Sequence, residues 1–176
     1  MWGCAGTKSG YWQWLLPVLC VYSSTSKDCF LLDFQSYADF NLTAAVASAF
    51  PLCLSLFPNP AHSYLLNSAT VSETVTVYAE ASEIDLAGLV TIGLKGNLTL
   101  YNASLEAGAG QLEVRGSLEL RSCSVKRWKA AFVQVRSGFV TVHGSYFEGN
   151  SQLFDFQSAI SAFFDTSVFP TTQNWQ

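Results

Sequence analysis

Two stretches of fourteen residues decide the fold: residues 92–105, IGLKGNLTLYNASL, and residues 112–125, LEVRGSLELRSCSV. At an offset of twenty, they match in the alternation of apolar and polar side chains and in the small residues between. Leu100, for example, meets Leu120. A repeated unit of this length, with short alternating strands and small-residue turns, is typical of a stacked β-solenoid.

Two weaker copies of the unit follow, at residues 133–147 and 154–169, so the offsets stay close to 20–22 residues. One unit cannot bury its few apolar side chains alone, whereas stacked units place each strand about 4.8 Å from the next. We therefore expect Leu100, Leu120 and Val142 to form an inward column. The outward positions between them are Thr99, Glu119 and Thr141.

The composition is that of one domain with a sizeable core. The chain has 176 residues, of which 49% are hydrophobic and 12% charged, and its net charge is −4. This is the opposite of a disordered chain. The few basic residues do not make the positive field that nucleic acids require, so we expect no nucleic-acid partner.

The first 26 residues have the pattern of an export signal. One lysine precedes a short apolar run at residues 11–22, and a small polar stretch follows at residues 23–26. The pattern predicts a signal peptide that is removed, although a retained signal anchor or a buried strand would also fit. No later segment reaches the roughly 20 apolar residues of a membrane helix. We expect a secreted or cell-surface protein with no transmembrane span beyond the signal.

Three cysteines follow the predicted signal: Cys29, Cys53 and Cys123. In an oxidising compartment a Cys29–Cys53 bridge is plausible, and it would leave Cys123 as a buried thiol. No cysteine pair has CxxC spacing, and the two histidines, His62 and His143, lie far apart. We therefore expect neither a metal site nor a cofactor.

Three triplets match the acceptor pattern for N-glycosylation, and they begin at Asn41, Asn97 and Asn102. Asn97 and Asn102 also fall at turns of the repeat, where asparagine is favoured for backbone reasons. Both interpretations stay open for these two residues.

The segments before and after the repeats differ from them. Residues 27–69 are expected to cap the solenoid, with helical spacing at residues 36–50, because an exposed stack end is usually covered. The β-helix itself is predicted over residues 70–169. A tail at residues 170–176 shows no cap of its own. We expect the chain to be truncated there, although an end that docks on a partner or on another copy would also fit.

One octapeptide, residues 144–151 (GSYFEGNS), resembles the S-x-F-x-G-N-S element of right-handed parallel β-helix proteins of the pectin-lyase-like superfold. It is also similar to repeats of polymorphic outer-membrane adhesins and related surface proteins. The resemblance covers about residues 70–169. It implies an all-β, right-handed parallel β-helix, in which Phe147 points inward while Gly149 and Asn150 form a bend.

Hydrolases of the pectin-lyase-like superfold use clustered carboxylates, and its lyases use an acidic calcium site with a basic residue. Here Glu113 and Asp155 would stand two coils apart, with neutral Gln134 between them. Glycoside hydrolysis needs two carboxylates at a controlled separation, so we predict no catalytic residue. His143 is expected to be a solvated outward histidine.

Basic residues supply the best candidate contacts for a ligand. Lys95, Arg115 and Arg136 occupy equivalent positions in three copies, and a sulfated or carboxylated glycan would relieve their repulsion. The alternative is that Glu113, Glu119 or solvent screens them. Trp128, in a basic loop, would contact a sugar ring or an anionic partner, or would pack on the solenoid edge.

The predicted function is that of a non-enzymatic surface module for adhesion or carbohydrate binding, whose partner is an anionic polysaccharide or a surface protein. Two alternatives remain open. One is a fragment of a polysaccharide lyase or glycoside hydrolase, and the other is a structural spacer of an envelope or wall.

Overall fold

Short segments of alternating apolar and polar residues form the strands, which stack in register. The computed structural model describes residues 20–21, 30–32, 42–56, 63–106, 108–128, 131–157 and 161–168. They form a parallel β-solenoid of about 5 turns with almost no helix. The all-β class and the stacked architecture predicted from the repeat are thereby confirmed.

The described residues contain one short helix and eighteen strands. In chain order these are β1 (Cys20–Val21), β2 (Phe30–Leu32), α1 (Leu42–Val46), β3 (Leu52–Leu56), β4 (Tyr64–Leu66), β5 (Ala69–Val71), β6 (Thr74–Tyr78), β7 (Ile84–Leu86), β8 (Leu89–Ile92), β9 (Asn97–Tyr101), β10 (Ser104–Glu106), β11 (Gln111–Val114), β12 (Ser117–Arg121), β13 (Ser124–Lys126), β14 (Ala131–Val135), β15 (Phe139–His143), β16 (Tyr146–Glu148), β17 (Gln152–Phe156) and β18 (Ser161–Asp165).

Each full coil gives one strand to each of three sides. The eight-stranded sheet has the order β1-β2-β3-β6-β9-β12-β15-β18, and the five-stranded sheet has the order β17-β14-β11-β8-β5. A three-stranded sheet, β10-β13-β16, forms the third side, and β4 pairs with β7. The named strand pairs are parallel except that of β1 with β2.

The predicted inward column is present. Leu100 pairs with Leu120, and Leu120 pairs with Val142, and all three are buried. Burial of each such side chain contributes roughly 1.5–3 kcal/mol to stability. The outward row is in register as well, but Thr99 is only 5% exposed. Its hydroxyl lies under Glu119 and donates to Oε2 at 3.4 Å.

The stack begins earlier in the chain than residue 70, where the repeat pattern becomes clear. Strand β3 already pairs with β6, and β4 pairs with β7. Helix α1 lies within the predicted helical stretch, packs against β4 and β5, and buries Leu42 and Val46. The part of the expected cap before residue 42 lies mostly outside the described residues, as do the predicted signal peptide and tail.

A single left-handed residue turns the chain from the eight-stranded sheet into the three-stranded sheet. This position is held by Asn102, Ser122, Gly144 and Thr166, with φ of 52°, 53°, 52° and 49°. Glycine adopts this backbone conformation freely and asparagine tolerates it, which explains the amino-acid choice at Gly144 and Asn102. The backbone explanation for Asn102 is thus confirmed.

The octapeptide at residues 144–151 adopts the local structure that its resemblance implies. Phe147 is buried. Gly149 has a φ of 63°, and Asn150 bridges two coils. The Asn150 amide accepts a hydrogen bond from the Trp128 backbone N–H at 2.8 Å and donates one to the Val125 carbonyl at 3.0 Å. The side chain therefore replaces hydrogen bonds that the strands lack at this bend.

Within the described ranges, no helix has both the length and the apolar character needed to cross a membrane.

Candidate functional site

The outward face of the five-stranded sheet carries an in-register polar row. Thr70 pairs with Thr91, Thr91 with Glu113, Glu113 with Gln134, and Gln134 with Asp155. The predicted separation of the two carboxylates by Gln134 is confirmed. Their order follows from side-chain alternation, which sends every second residue of a strand to the same face.

Glu113 joins the two arginines of the predicted basic column. Its side chain is only 11% exposed, and it receives Arg115 Nε at 2.8 Å and Arg136 Nε at 3.6 Å, on different oxygens. The arginine side chains are 53% and 44% exposed. One carboxylate therefore screens the repulsion between two guanidinium groups, which is the alternative left open for this column.

Lys95 does not stand level with the arginines. Ile92 pairs with Val114 before the turn, and Asn97 pairs with Ser117 after it. Four residues separate Ile92 from Asn97, whereas two separate Val114 from Ser117. Leu94 and Lys95 are the two extra residues, and they form a bulge on the turn. The three-residue column is therefore wrong: it consists of Arg115 and Arg136, with Lys95 displaced by this insertion.

Asp155 ends the row in a second hydrogen-bond network. Its Oδ2 accepts bonds from Gln157 Nε2 at 2.8 Å and from Gln134 Nε2 at 3.0 Å. The Gln157 bond, followed by the Gln134 bond and the charge of Arg136, holds the pKa of Asp155 below its ordinary value. Arg136 also donates to Gln157 Oε1. Asp155 is thus kept ionised and does not suit the role of a general acid.

Trp128 is not a surface contact, and this candidate is corrected. The side chain is 1% exposed, and its Nε1 donates to the Gly110 carbonyl at 3.0 Å. Its ring meets Phe132 edge to face, with centroids 4.9 Å apart. The indole therefore closes the corner of the coil, because burial of its apolar area outweighs solvation once the N–H is paired.

The eight-stranded sheet carries a second outward row that sequence reasoning missed. It consists of Tyr78, Tyr101, Arg121, His143 and Asp165, which pair in register on β6, β9, β12, β15 and β18. We call it the aromatic–cationic row. The same offsets that align the inward aliphatics predict it, provided that outward positions are compared as well.

Contacts along this row are close. The Tyr78 and Tyr101 rings stack with centroids 4.6 Å apart, and the Arg121 guanidinium lies 5.5 Å from the centre of the Tyr101 ring. Glu119 Oε1 lies 2.6 Å from Arg121 Nη2, and this hydrogen-bonded partner raises the pKa of Arg121. His143 Nδ1 lies 3.6 Å from Asp165 Oδ2.

The remaining predicted sites divide between described and undescribed positions. Asn102 is exposed at its bend, whereas Asn97 begins β9 and its Oδ1 is buried without a described hydrogen-bond partner. Asn41 lies outside the described residues, and glycosylation of all three asparagines stays a prediction. Cys53 is disulfide-bonded. Cys123 carries a buried free thiol, which confirms the prediction for this residue. The pairing of Cys53 with Cys29 involves a residue outside the described part and stays a prediction.

In the described residues, no cluster of three or more histidine, cysteine or acidic side chains could hold a metal ion.

Comparisons of the chain with family models, with curated proteins and with solved structures find no match. The resemblance to pectin-lyase-like proteins and adhesins therefore stays a prediction from the octapeptide, and the structure itself shows a parallel β-solenoid.

Proposed function

We propose that this protein is a secreted or surface-exposed β-helix module that binds an anionic polysaccharide without cleaving it. The observation that carries the proposal is the pair Arg115 and Arg136, which are exposed directly after the neighbouring strands β11 and β14 and face one carboxylate. Glu113 takes the Nε side of each guanidinium. A guanidinium has five N–H donors, so Arg115, which donates to Glu113 through Nε, can still present its two terminal NH₂ groups to carboxylate or sulfate oxygens.

The rigidity of the pair supports binding rather than simple solvation. Neighbouring strands lie about 4.8 Å apart, so two anchored arginines present cations at a fixed short interval. A polymer with an acidic group on successive units matches such an interval better than an isolated anion does. Preorganised donors lose less conformational entropy when the ligand binds.

The carboxylates of this face support a non-catalytic role. Glu113 is engaged by both arginines, and Asp155 accepts bonds from two glutamines. A hydrolase needs one carboxyl group that holds a proton near neutral pH, whereas the bonds from Gln157 and Gln134 hold the pKa of Asp155 below its ordinary value.

A glycan array followed by titration with polygalacturonate and heparin tests the proposal. We expect the wild type to bind an acidic polymer and Arg115→Gln/Arg136→Gln to weaken binding about tenfold or more, with a lower salt dependence. Arg127→Gln is the matched control, since it removes an exposed arginine paired with Glu106 on another side of the coil.

Release of products from polygalacturonate would instead favour the fragment of a lyase or hydrolase. A folded wild type that binds no acidic glycan would contradict the proposal and favour a structural spacer, to which the cross-coil contacts of Arg136 with Glu113 and Gln157 are also suited.

A further inference from the structure

We propose that Phe163, His143 and Asp165 form a second binding subsite, which takes a neutral sugar unit on the eight-stranded sheet. The inference rests on the proposed function in that both concern glycan binding, but it assigns a different face and a different ligand chemistry. The subsite lies at the end of the aromatic–cationic row, on β15 and β18.

Phe163 supplies an apolar platform. The side chain is 51% exposed at an outward position of β18, level with Thr141 on the preceding strand. Its ring lies beside the His143 imidazole, with centroids 5.6 Å apart and planes inclined by 59°. An apolar ring held this far in solvent gains free energy when another apolar surface covers it. The C–H face of a pyranose ring is such a surface.

His143 and Asp165 supply polar groups at the edge of the platform. Nδ1 of the histidine lies 3.6 Å from Oδ2 of the aspartate, and the Asp165 side chain is 52% exposed. A carboxylate has about four lone-pair sites, and the second ring nitrogen of a histidine is a further donor or acceptor. A carboxylate that meets two adjacent hydroxyl groups recognises a sugar without any requirement for charge on the ligand.

The row that leads to the subsite favours a chain of sugar units over a flat protein surface. Arg121 and Tyr101 continue the line of hydrogen-bonding groups at strand spacing. A standard protein interface buries about 800 Å² per partner around an apolar centre. Of the side chains of β3, β6, β9, β12, β15 and β18 whose burial is described, the exposed large apolar ones are only Phe139 and Phe163.

The charge balance also separates this face from the arginine pair. Glu119 neutralises Arg121, and Asp165 lies beside His143. An acidic polymer would meet two carboxylates here, whereas an uncharged glycan would not be repelled.

Calorimetric titration with neutral hexasaccharides, cellohexaose and chitohexaose, tests the assignment on the full chain. We expect binding to fall about tenfold or more in Phe163→Ala and in Asp165→Asn, and to be retained in Phe163→Tyr, which keeps the aromatic platform. Leu89→Ala is the matched control, because it removes an apolar side chain of similar exposure, 44%, from the five-stranded sheet. Circular dichroism confirms that each variant is folded.

The outcomes separate the two proposals. Neutral binding that depends on Phe163 and Asp165 but not on Arg115 and Arg136 supports the second subsite. Acidic-polymer binding that depends on the arginines, with no neutral binding, overturns the subsite and leaves the proposed function intact. Self-association that is abolished by Phe163→Ala, with no glycan bound, overturns the subsite in favour of a protein contact.

Discussion

Cys123 occupies a position that the following coils give to serine. Its backbone N–H donates to Ser145 Oγ at 3.1 Å, and the N–H of Ser145 donates to Ser167 Oγ at 3.3 Å. The thiol itself donates to the Leu100 carbonyl at 3.3 Å. Burial raises the pKa of this thiol to about 11. At neutral pH the group is therefore a small, protonated core residue with little nucleophilic character.

We expect the native protein to resist alkylation of Cys123 by iodoacetamide at pH 8, and the protein in guanidinium to react. Because the folded-state pKa lies above the ordinary value of 9.0, the stability that this group contributes is complete below pH 9 and declines as the pH rises toward 11. Mass spectrometry of the alkylated peptide checks the first point, and denaturation from pH 7 to 10.5 checks the second.

Substitution provides the control. Cys123→Ser places a hydroxyl at a position where the equivalent residue of the next coil, Ser145, also has one. We therefore expect a change of about 1 kcal/mol or less in the free energy of unfolding. Cys123→Leu overfills the same site and is expected to cost about 1–3 kcal/mol. Equal losses in the two variants would contradict this view of the position.

Single residues were the least predictable part of the site. The sequence allowed two roles for Trp128, contact with a ligand or packing on the edge of the solenoid. The structure shows the second, because the ring packs against Phe132. Similarly, the role of Glu113 depends on whether its oxygens reach both guanidinium groups, and a sequence does not specify that distance. Pattern identifies the face on which a side chain lies, whereas rotamer and neighbours decide its contacts.

At the scale of a turn, Gly116 stacks directly on the previous coil. A Cβ at this position would lie 2.2 Å from the carbonyl oxygens of Gly93 and Gly96. Backbone cannot move aside as a flexible side chain does. We therefore expect Gly116→Ala to cost at least about 2 kcal/mol and to lower the urea midpoint of unfolding.

Gly144 is the matched comparison for that variant. It has a φ of +52°, but its added Cβ would meet nothing closer than 3.9 Å, and Asn102 holds the equivalent position. Gly144→Asn should therefore stay within about 1 kcal/mol of the wild type. A cost for Gly144→Asn equal to that for Gly116→Ala would show that turn conformation, and not coil contact, governs these glycines.

The strands were predictable because apolar and polar residues alternate with a period of two in every coil, and the predicted inward column is present. Turns were not, because insertions change register without changing composition. The two extra residues at Leu94 and Lys95 separate Lys95 from Arg115, and only the strand pairs on both sides show it. The aromatic–cationic row could have been predicted from the sequence, because its residues are spaced by the same offsets.

At the scale of the whole molecule, each coil contacts mainly its neighbours, so stability should vary along the axis. Strand β12 pairs with β9 on one side and β15 on the other, whereas β18 pairs in the described part of the eight-stranded sheet only with β15. We expect amide protons of β12 to exchange at least about tenfold more slowly than those of β18. Hydrogen exchange with mass spectrometry checks this, and uniform protection would instead indicate one fully cooperative unit.

The sequence by itself determined the stacked β architecture, because repeated alternation can bury its apolar side chains only when one coil covers the next. It also determined which aliphatic residues form the core. The tertiary structure alone decided which outward groups meet across coils: Glu113 with two arginines, Arg121 with Tyr101, and His143 with Asp165 and Phe163. These contacts depend on exact register and turn length, and both are set by the closing of each coil onto its neighbour.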